Sequence, residues 1–227
     1  DCVSLTNIDI PESVTTLGKG IFEGCLSLKK ITISHGFANH MDLILGNLFD
    51  KFNTIDINWV FEQGLSYIDE VVYNEEKTEL VKCPLSKSGV FIVPEGVKTI
   101  CAFAFSHCND LTKIVLPQSL TLIESGAFYG CKGLKEINIP DSVKDINKFV
   151  FQGCISLKDI IIPENITVIW KYAFQNCTSL TTVKLSNGIT SIDFAAFQGC
   201  TALTNIIIPN SVYEIYGYAF SNCKGLS

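Results

Sequence analysis

The stretch LTKIVLPQSLTLIESGAFYGCKG, residues 111–133, recurs with a period of 23 along much of this 227-residue chain. Each copy carries a phenylalanine, a cysteine three residues later and a leucine three residues after that. The phenylalanines are Phe105, Phe128, Phe151, Phe174, Phe197 and Phe220, and the cysteines are Cys108, Cys131, Cys154, Cys177, Cys200 and Cys223. Self-similarity at a fixed period of roughly 20–50 residues indicates one supersecondary unit that is copied and stacked. The sequence therefore predicts a solenoid.

Within the unit, the opening Leu111-x-x-Ile114-x-Leu116 alternates apolar and outward-facing positions, which is typical of a strand. Pro117 ends that strand because proline has no N–H to donate to a ladder. Phe128 then fills the opposite, convex side of the coil. Because strands at the same position in successive coils become neighbours, we expect a parallel sheet with a spacing of about 4.8 Å and about nine coils.

The middle of the chain departs from the repeat. Regular coils are predicted over residues 1–33 and 88–227, and residues 34–87 form an irregular segment. In that segment, a polar turn separates two short apolar runs, which predicts a β-hairpin at about residues 70–83. A helix on the convex side is predicted within residues 34–51. We expect residues 1–227 to form a single solenoid domain.

Both ends of the sequence fall inside a repeat, which predicts that the chain is a piece of a longer protein. The coils at the two ends would then be uncovered. Because the uncovered edge of a terminal coil can pair with that of a second copy, weak end-to-end self-association is expected.

Composition excludes several classes of function. The net charge is -6, and no cluster of lysines and arginines occurs, which argues against nucleic acid and anionic membrane surfaces as partners. Although 47% of the residues are hydrophobic, they are dispersed, and no run is long enough to span a bilayer. We therefore expect no membrane insertion by this chain.

The cysteines and histidines are the chemical candidates. The periodic cysteines are expected to be buried thiols, and the absence of a CxxC spacing argues against a metal site. Cys83 and Cys101 lie outside the period, and a bridge between them is one alternative. His107 adjoins Cys108, but no third ligand or orienting acid accompanies them. No catalytic, cofactor-binding or metal residue is assigned, and the chain is predicted not to be an enzyme.

Two Asn-x-Thr sequons occur, at Asn165-Ile166-Thr167 and Asn176-Cys177-Thr178. Such sequons accept N-linked glycans when they lie on accessible loops. Asn165 falls at the position that Ser119 holds in its own coil, which is expected to face inward, and Asn176 adjoins a periodic cysteine. Both are therefore expected to be poor acceptors.

The unit LxxIxIPxSVxxIxxxAFxxC resembles the BspA-like leucine-rich repeats, which occur in surface proteins of host-associated bacteria and parasitic protists. The resemblance covers nearly the whole chain, with departures such as Ser186 for proline and Val150 for alanine. It implies a leucine-rich repeat solenoid of α/β type, with short parallel strands and an irregular or short helical convex side. It also implies a cell-surface or secreted protein that binds host or matrix proteins without catalysis. The family's motif fixes no functional residues.

The candidate binding residues are the outward positions of the predicted strands, which form the concave face. They are Lys113, Val115, Glu136, Asn138, Asp159, Ile161, Thr182, Lys184, Asn205 and Ile207. The β-branched members fit either simple strand preference or a contact stripe for a protein ligand. The alternative function is an intracellular, cytoplasmic scaffold for protein interactions, since many thiols without compelling disulfides fit a reducing compartment.

Overall fold

A computed structural model describes residues 4–11, 13–14, 25, 27–34, 56–60 and 65–226. The chain divides into two compact units, Asp1–Leu65 and Ser66–Ser227, which are described separately. A single domain over 1–227 therefore stays a prediction. The helix predicted within residues 34–51 lies outside the described residues, and the described residues contain strands and turns but no helix.

The first unit contains one parallel sheet of three strands, β1 (Asn7–Ile10), β2 (Lys30–Ser34) and β3 (Asp56–Val60). Ile8 pairs with Ile31, and Ile31 pairs with Ile57. The first pairing keeps the 23-residue offset that the periodicity predicts for stacked coils, whereas the second has an offset of 26 residues.

The second unit begins with an antiparallel meander of β4 (Leu65–Ile68), β5 (Val71–Asn74) and β6 (Glu79–Lys82). The pairing of β5 with β6 confirms the predicted hairpin. Asn74 closes its turn, because its Oδ1 accepts from the N–H of Thr78 at 2.8 Å and of Glu79 at 2.9 Å. The turn between β4 and β5 places both Asp69 and Glu70 at positive φ, the conformation that suits a two-residue hairpin.

The remaining strands alternate between two positions in each coil. In chain order they are β7 (Gly89–Ile92), β8 (Thr99–Ile100), β9 (Leu111–Val115), β10 (Leu122–Ile123), β11 (Glu136–Asn138), β12 (Asp145–Ile146), β13 (Asp159–Ile161), β14 (Val168–Ile169), β15 (Thr182–Lys184), β16 (Ser191–Ile192), β17 (Asn205–Ile206) and β18 (Glu214–Ile215). The odd-numbered strands form the predicted column, and the even-numbered ones form a second parallel column that the sequence analysis did not predict. Strand β6 of the meander pairs in parallel with β8 and so joins the second column.

A stack of phenylalanine rings runs along the core. Phe128, Phe151, Phe174 and Phe197 are fully buried, and their neighbouring centroids lie 5.2–5.4 Å apart with nearly parallel planes. Burial of these rings, together with the isoleucines of both strand columns, gives one continuous core for the second unit. Because no coil encloses its own apolar face, neighbouring coils stabilise each other.

The periodic cysteines line the same core as free, buried thiols, as predicted. From Cys131 onward, each thiol also donates to the carbonyl of a phenylalanine 26 residues earlier. Cys154 Sγ lies 3.1 Å from the Phe128 oxygen, and Cys177 Sγ lies 3.0 Å from the Phe151 oxygen. The cysteine therefore satisfies a buried backbone acceptor of the preceding coil in addition to filling space.

The turn side of the coils, which carries the Ala-Phe and Gly-Cys residues, is irregular but hydrogen-bonded along the stack. Phe151 N–H donates to the Ala173 oxygen at 2.9 Å, and the same bond recurs in the other coils. The side includes residues at positive φ, such as Phe149 and Tyr172, whose rings stack at 5.2 Å. At the corresponding position in another coil, Gly126 makes room for the ring of Phe103, because a Cβ there would collide with that ring.

Candidate functional site

The candidate site is the outward surface of the first strand column in the second unit, here called the strand face. Its residues alternate with buried ones along each strand, so that Ile137 is buried between exposed Glu136 and Asn138. Every predicted binding residue lies on this surface, and all are exposed except Lys113, which is half-buried. They are Lys113, Val115, Glu136, Asn138, Asp159, Ile161, Thr182, Lys184, Asn205 and Ile207.

Strand pairing brings these candidates into lateral contact range. Lys113 pairs with Glu136, and Val115 pairs with Asn138 across β9 and β11. Farther along, Ile161 pairs with Lys184 across β13 and β15. The strand face is built from two three-stranded sheets, β7–β9–β11 and β13–β15–β17, with β11 adjacent to β13. Hydrogen bonds on the turn side continue across the boundary between them, so the coils stay stacked there.

Exposed apolar side chains mark the strand face. Ile161 is 60% exposed, Ile207 is 77% exposed, and Val115 is 37% exposed. Large apolar side chains that are exposed at regular intervals on a packed scaffold form the kind of surface that protein ligands cover.

Two further apolar residues of the strand face were missed by the sequence analysis. Val90 and Ile92 on β7 are 59% and 68% exposed, and Ile92 pairs directly with Val115. The signal was present, because buried Val93 and half-buried Phe91 make Val90 and Ile92 the outward members of the alternation. The register shifts between Gly89 and Val90, and from Val90 onward the strand pairs with β9 at the regular 23-residue offset.

The polar part of the strand face carries both signs of charge. Lys113 Nζ lies 2.6 Å from Glu136 Oε1, and both side chains remain partly exposed, so this ion pair adds about 0–1 kcal/mol to stability at most. Exposed Asp159 and Lys184 add one charge of each sign. A mixed surface of this kind favours discrimination among protein partners over attraction to a polyanion.

A cavity of about 470 Å³ opens on the strand face between β9 and β11 and the turns that follow them. It is lined by Lys113, Ile114, Val115, Leu116, Gln118, Asn138, Ile139, Pro140 and Asp141. The polar side chains in this lining, with Val115 beside them, suit one anchoring side chain of a partner that combines a polar and an apolar part.

The thiols of Cys154 and Cys177 offer no comparable site. Burial raises the pKa of Cys177 to about 12 and the pKa of Cys154 well above its ordinary value, so neither thiol is nucleophilic at neutral pH. Cys83 and Cys101, the alternative disulfide pair of the sequence analysis, are both free and buried. Cys83 instead adjoins Cys108, whose Sγ lies 3.7 Å from the Cys83 oxygen.

His107 is held within the turn side. Its Nδ1 lies 2.9 Å from Ser106 Oγ, and its ring packs 5.3 Å from that of Tyr129. Among the described residues, no group of three or more histidines, cysteines and acidic side chains is placed to hold a metal ion.

Comparison with known proteins places the repeat in a described family. The BspA type leucine rich repeat region matches residues 1–90 and 98–227 in six copies. A search of curated proteins found no match.

Solved structures of bacterial leucine-rich repeat proteins resemble this chain. A leucine-rich repeat protein from Eubacterium ventriosum is 30% identical, with a TM-score of 0.57 over 96% of this chain and 58% of its own. A leucine rich cell surface protein from Faecalibacterium prausnitzii is 27% identical, with a TM-score of 0.61 over 97% of this chain and 64% of its own. A leucine rich repeat protein from T. pallidum is 25% identical, with a TM-score of 0.56 over 73% of this chain and 89% of its own.

The chain thus spans less than two thirds of the first two structures. Within the part of the chain that is described, no helix has the length and apolar character needed to cross a bilayer.

Proposed function

Because the chain belongs to the BspA-type leucine-rich repeat family, we propose that it is a non-catalytic adhesin, at the cell surface or secreted, that binds host or matrix proteins through its strand face. The observation that carries the proposal is the row of exposed β-branched side chains on that face, led by Ile207 and Ile161. The similarity to a cell surface protein of Faecalibacterium prausnitzii supports the location.

The strand face supports binding rather than chemistry. Its side chains are exposed, and the described part of the face brings together no nucleophile with a base and no carboxylate pair in an apolar setting. A partner that covers Val115, Ile161 and Ile92 would remove apolar surface from water at about 25 cal/mol per Å². The cavity beside Val115 would receive an anchoring side chain, where binding energy is usually concentrated.

Binding to immobilised fibronectin, laminin and collagen tests the proposal. The wild-type chain is compared with Ile161→Asp on the strand face and with Ile155→Asp, a matched control at a 40% exposed residue in the turn between Cys154 and β13. We expect binding to at least one matrix protein, at least a tenfold weakening by Ile161→Asp, and no change by Ile155→Asp. Equal weakening by both variants, or no binding to any of the three proteins, would overturn the proposal.

The intracellular scaffold is retained as a second candidate because the eight cysteines from Cys83 to Cys223 are free thiols. Free thiols fit a reducing compartment, although their burial protects them elsewhere as well. Antibody labelling of intact and permeabilised source cells separates the two candidates. Labelling of intact cells supports the adhesin, and labelling only after permeabilisation favours the scaffold.

A further inference from the structure

Both sequon asparagines are exposed, which differs from the sequence-based expectation for Asn165. Ser119 is the residue equivalent to Asn165 in another coil. Its side chain hydrogen-bonds to the backbone, since its Oγ donates to the Val97 oxygen at 2.8 Å. Asn165 also reaches the preceding coil, because its Nδ2 donates to the Asp141 oxygen at 2.5 Å. The Asn165 amide nitrogen, to which a glycan would have to be attached, is therefore already hydrogen-bonded to the backbone.

Asn176 lies in a different setting, on the turn side. It adopts a φ of 59°, in the column where other coils carry Gly130, Gly153 and Gly199 at positive φ. Its backbone N–H donates to the Gln198 oxygen at 2.7 Å, which fixes the turn without using the side chain. The side chain lies over Gly199, since a Cβ on that glycine would collide with Asn176 Oδ1.

The glycines leave an open surface around Asn176. A Cβ built on Gly153 would meet only the backbone of Gly130, at 3.6 Å, so no side chain fills that stretch of the column. Thr178, the hydroxyl residue of the sequon, is exposed as well, although Cys177 between them is fully buried. The tripeptide thus presents its two functional side chains to solvent while its middle residue anchors it to the core.

We propose that Asn176 is an acceptor site for an N-linked oligosaccharide and that Asn165 is not. The donor is an oligosaccharide carried on a polyprenyl diphosphate. A bond forms between Asn176 Nδ2 and the anomeric carbon of the first sugar, and the bond from that carbon to the diphosphate oxygen breaks. The amide nitrogen loses one proton to a base of the transferase, and the lipid diphosphate departs, with no change in oxidation state.

The position of Asn176 keeps the sugar away from the strand face. Asn176 lies on the turn side, six residues before β15, whereas Asn165 follows β13 by only four residues and lies next to the strand face at Ile161. A glycan at Asn176 therefore leaves ligand binding through the strand face unchanged, whereas one at Asn165 would crowd it. The modification stands apart from the proposed function, since it requires no partner on the strand face.

The test is to express residues 1–227 behind a secretory leader in a mammalian cell line and to measure intact mass before and after treatment with peptide N-glycosidase. Both the medium and the membrane-enclosed fraction are analysed. We expect one glycan, lost in Asn176→Gln and in Thr178→Ala, kept in Thr178→Ser, and unaffected by Asn165→Gln. An unmodified wild-type chain, or a glycan that persists in Asn176→Gln, would overturn the proposal.

Enzymatic release in heavy-oxygen water gives a second readout that needs no variant. The acceptor asparagine becomes an aspartate that carries heavy oxygen, and peptide mapping locates it. Label at residue 176 of the wild-type chain supports the proposal even where a variant fails to fold. Label at residue 165 alone contradicts it.

Discussion

Replacement of Phe151 by leucine tests whether ring stacking between coils stabilises the solenoid. The Phe151 ring is fully buried, and its centroid lies 5.3 Å from that of Phe128 and 5.4 Å from that of Phe174. Leucine keeps an apolar side chain at the site but removes both ring pairs. Aromatic pairs contribute about 0.5–1.5 kcal/mol each beyond burial, so we expect Phe151→Leu to lower the free energy of unfolding by about 1–3 kcal/mol.

Three further variants set the scale for this loss of stability. Phe151→Ala also leaves a cavity and should cost about 3–5 kcal/mol, a large fraction of the stability of an ordinary domain. Phe220→Leu should cost about 0.5–1.5 kcal/mol, because Phe220 is only partly buried and one ring stack is found for it, with Phe197 at 5.5 Å. Ile161→Ala, at a 60% exposed residue, should cost no more than about 0.5 kcal/mol.

Urea unfolding followed by far-ultraviolet circular dichroism gives these free energies, and coincidence with tryptophan fluorescence checks that the transition is cooperative. The expected order of cost is Phe151→Ala, then Phe151→Leu, then Phe220→Leu, then Ile161→Ala. A cost for Phe151→Leu no larger than that for Ile161→Ala would refute the role of the stack. Equal costs at Phe151 and Phe220 would refute the dependence on neighbouring rings.

Four other predictions follow from the same structure. The eight thiols from Cys83 to Cys223 should resist Ellman's reagent at pH 8 in the folded state and react when urea is added, because all are buried. Since burial raises the pKa of Cys177 from 9.0 to about 12, the folded state holds a proton that the unfolded state loses, and stability should fall as pH rises above about 9. Between these two pKa values, the Cys177 thiol lowers the free energy of unfolding by about 1.4 kcal/mol for each pH unit. Cys177→Ala should therefore reduce the slope of stability against pH by this amount. Gly126→Ala should destabilise more than Gly89→Ala in thermal unfolding, because both have positive φ but only the first Cβ would strike Phe103. End-to-end self-association stays a prediction, and a concentration-independent monomer in light scattering would contradict it.

Strict periodicity explains what could be predicted of the fold. Phe151, Cys154 and the equivalent residues of other coils occupy buried positions that tolerate few residue types. The residues that recur with the period are therefore the residues of the core. The second strand column was not predicted because strands such as Leu122–Ile123 contain two residues. Two residues are too few to show an alternation of apolar and polar side chains. The turn before β5 was also missed, since Asp69 and Glu70 replace the Asn-Gly or Asp-Gly pair that usually marks such turns.

The candidate site was predictable in position but not in extent. Alternation around Ile114 and Ile160 places Val115 and Ile161 on the outward surface without any structure. Ile92 lies 23 residues before Val115 and pairs with it in the regular register, so the period alone could have added Ile92. Analogy with Ser119 predicts an inward-facing Asn165, but the longer asparagine side chain reaches the Asp141 carbonyl from an exposed position.

Lysine acylation footprinting of the chain bound to a matrix protein tests most directly whether the strand face is the binding surface. Lys184 lies exposed on the strand face, and Lys132 lies exposed on the turn side just after Cys131. We expect binding to protect Lys184 from acylation and to leave Lys132 as reactive as in the free chain. Protection of Lys132 with Lys184 unchanged would contradict it and would place the partner on the turn side.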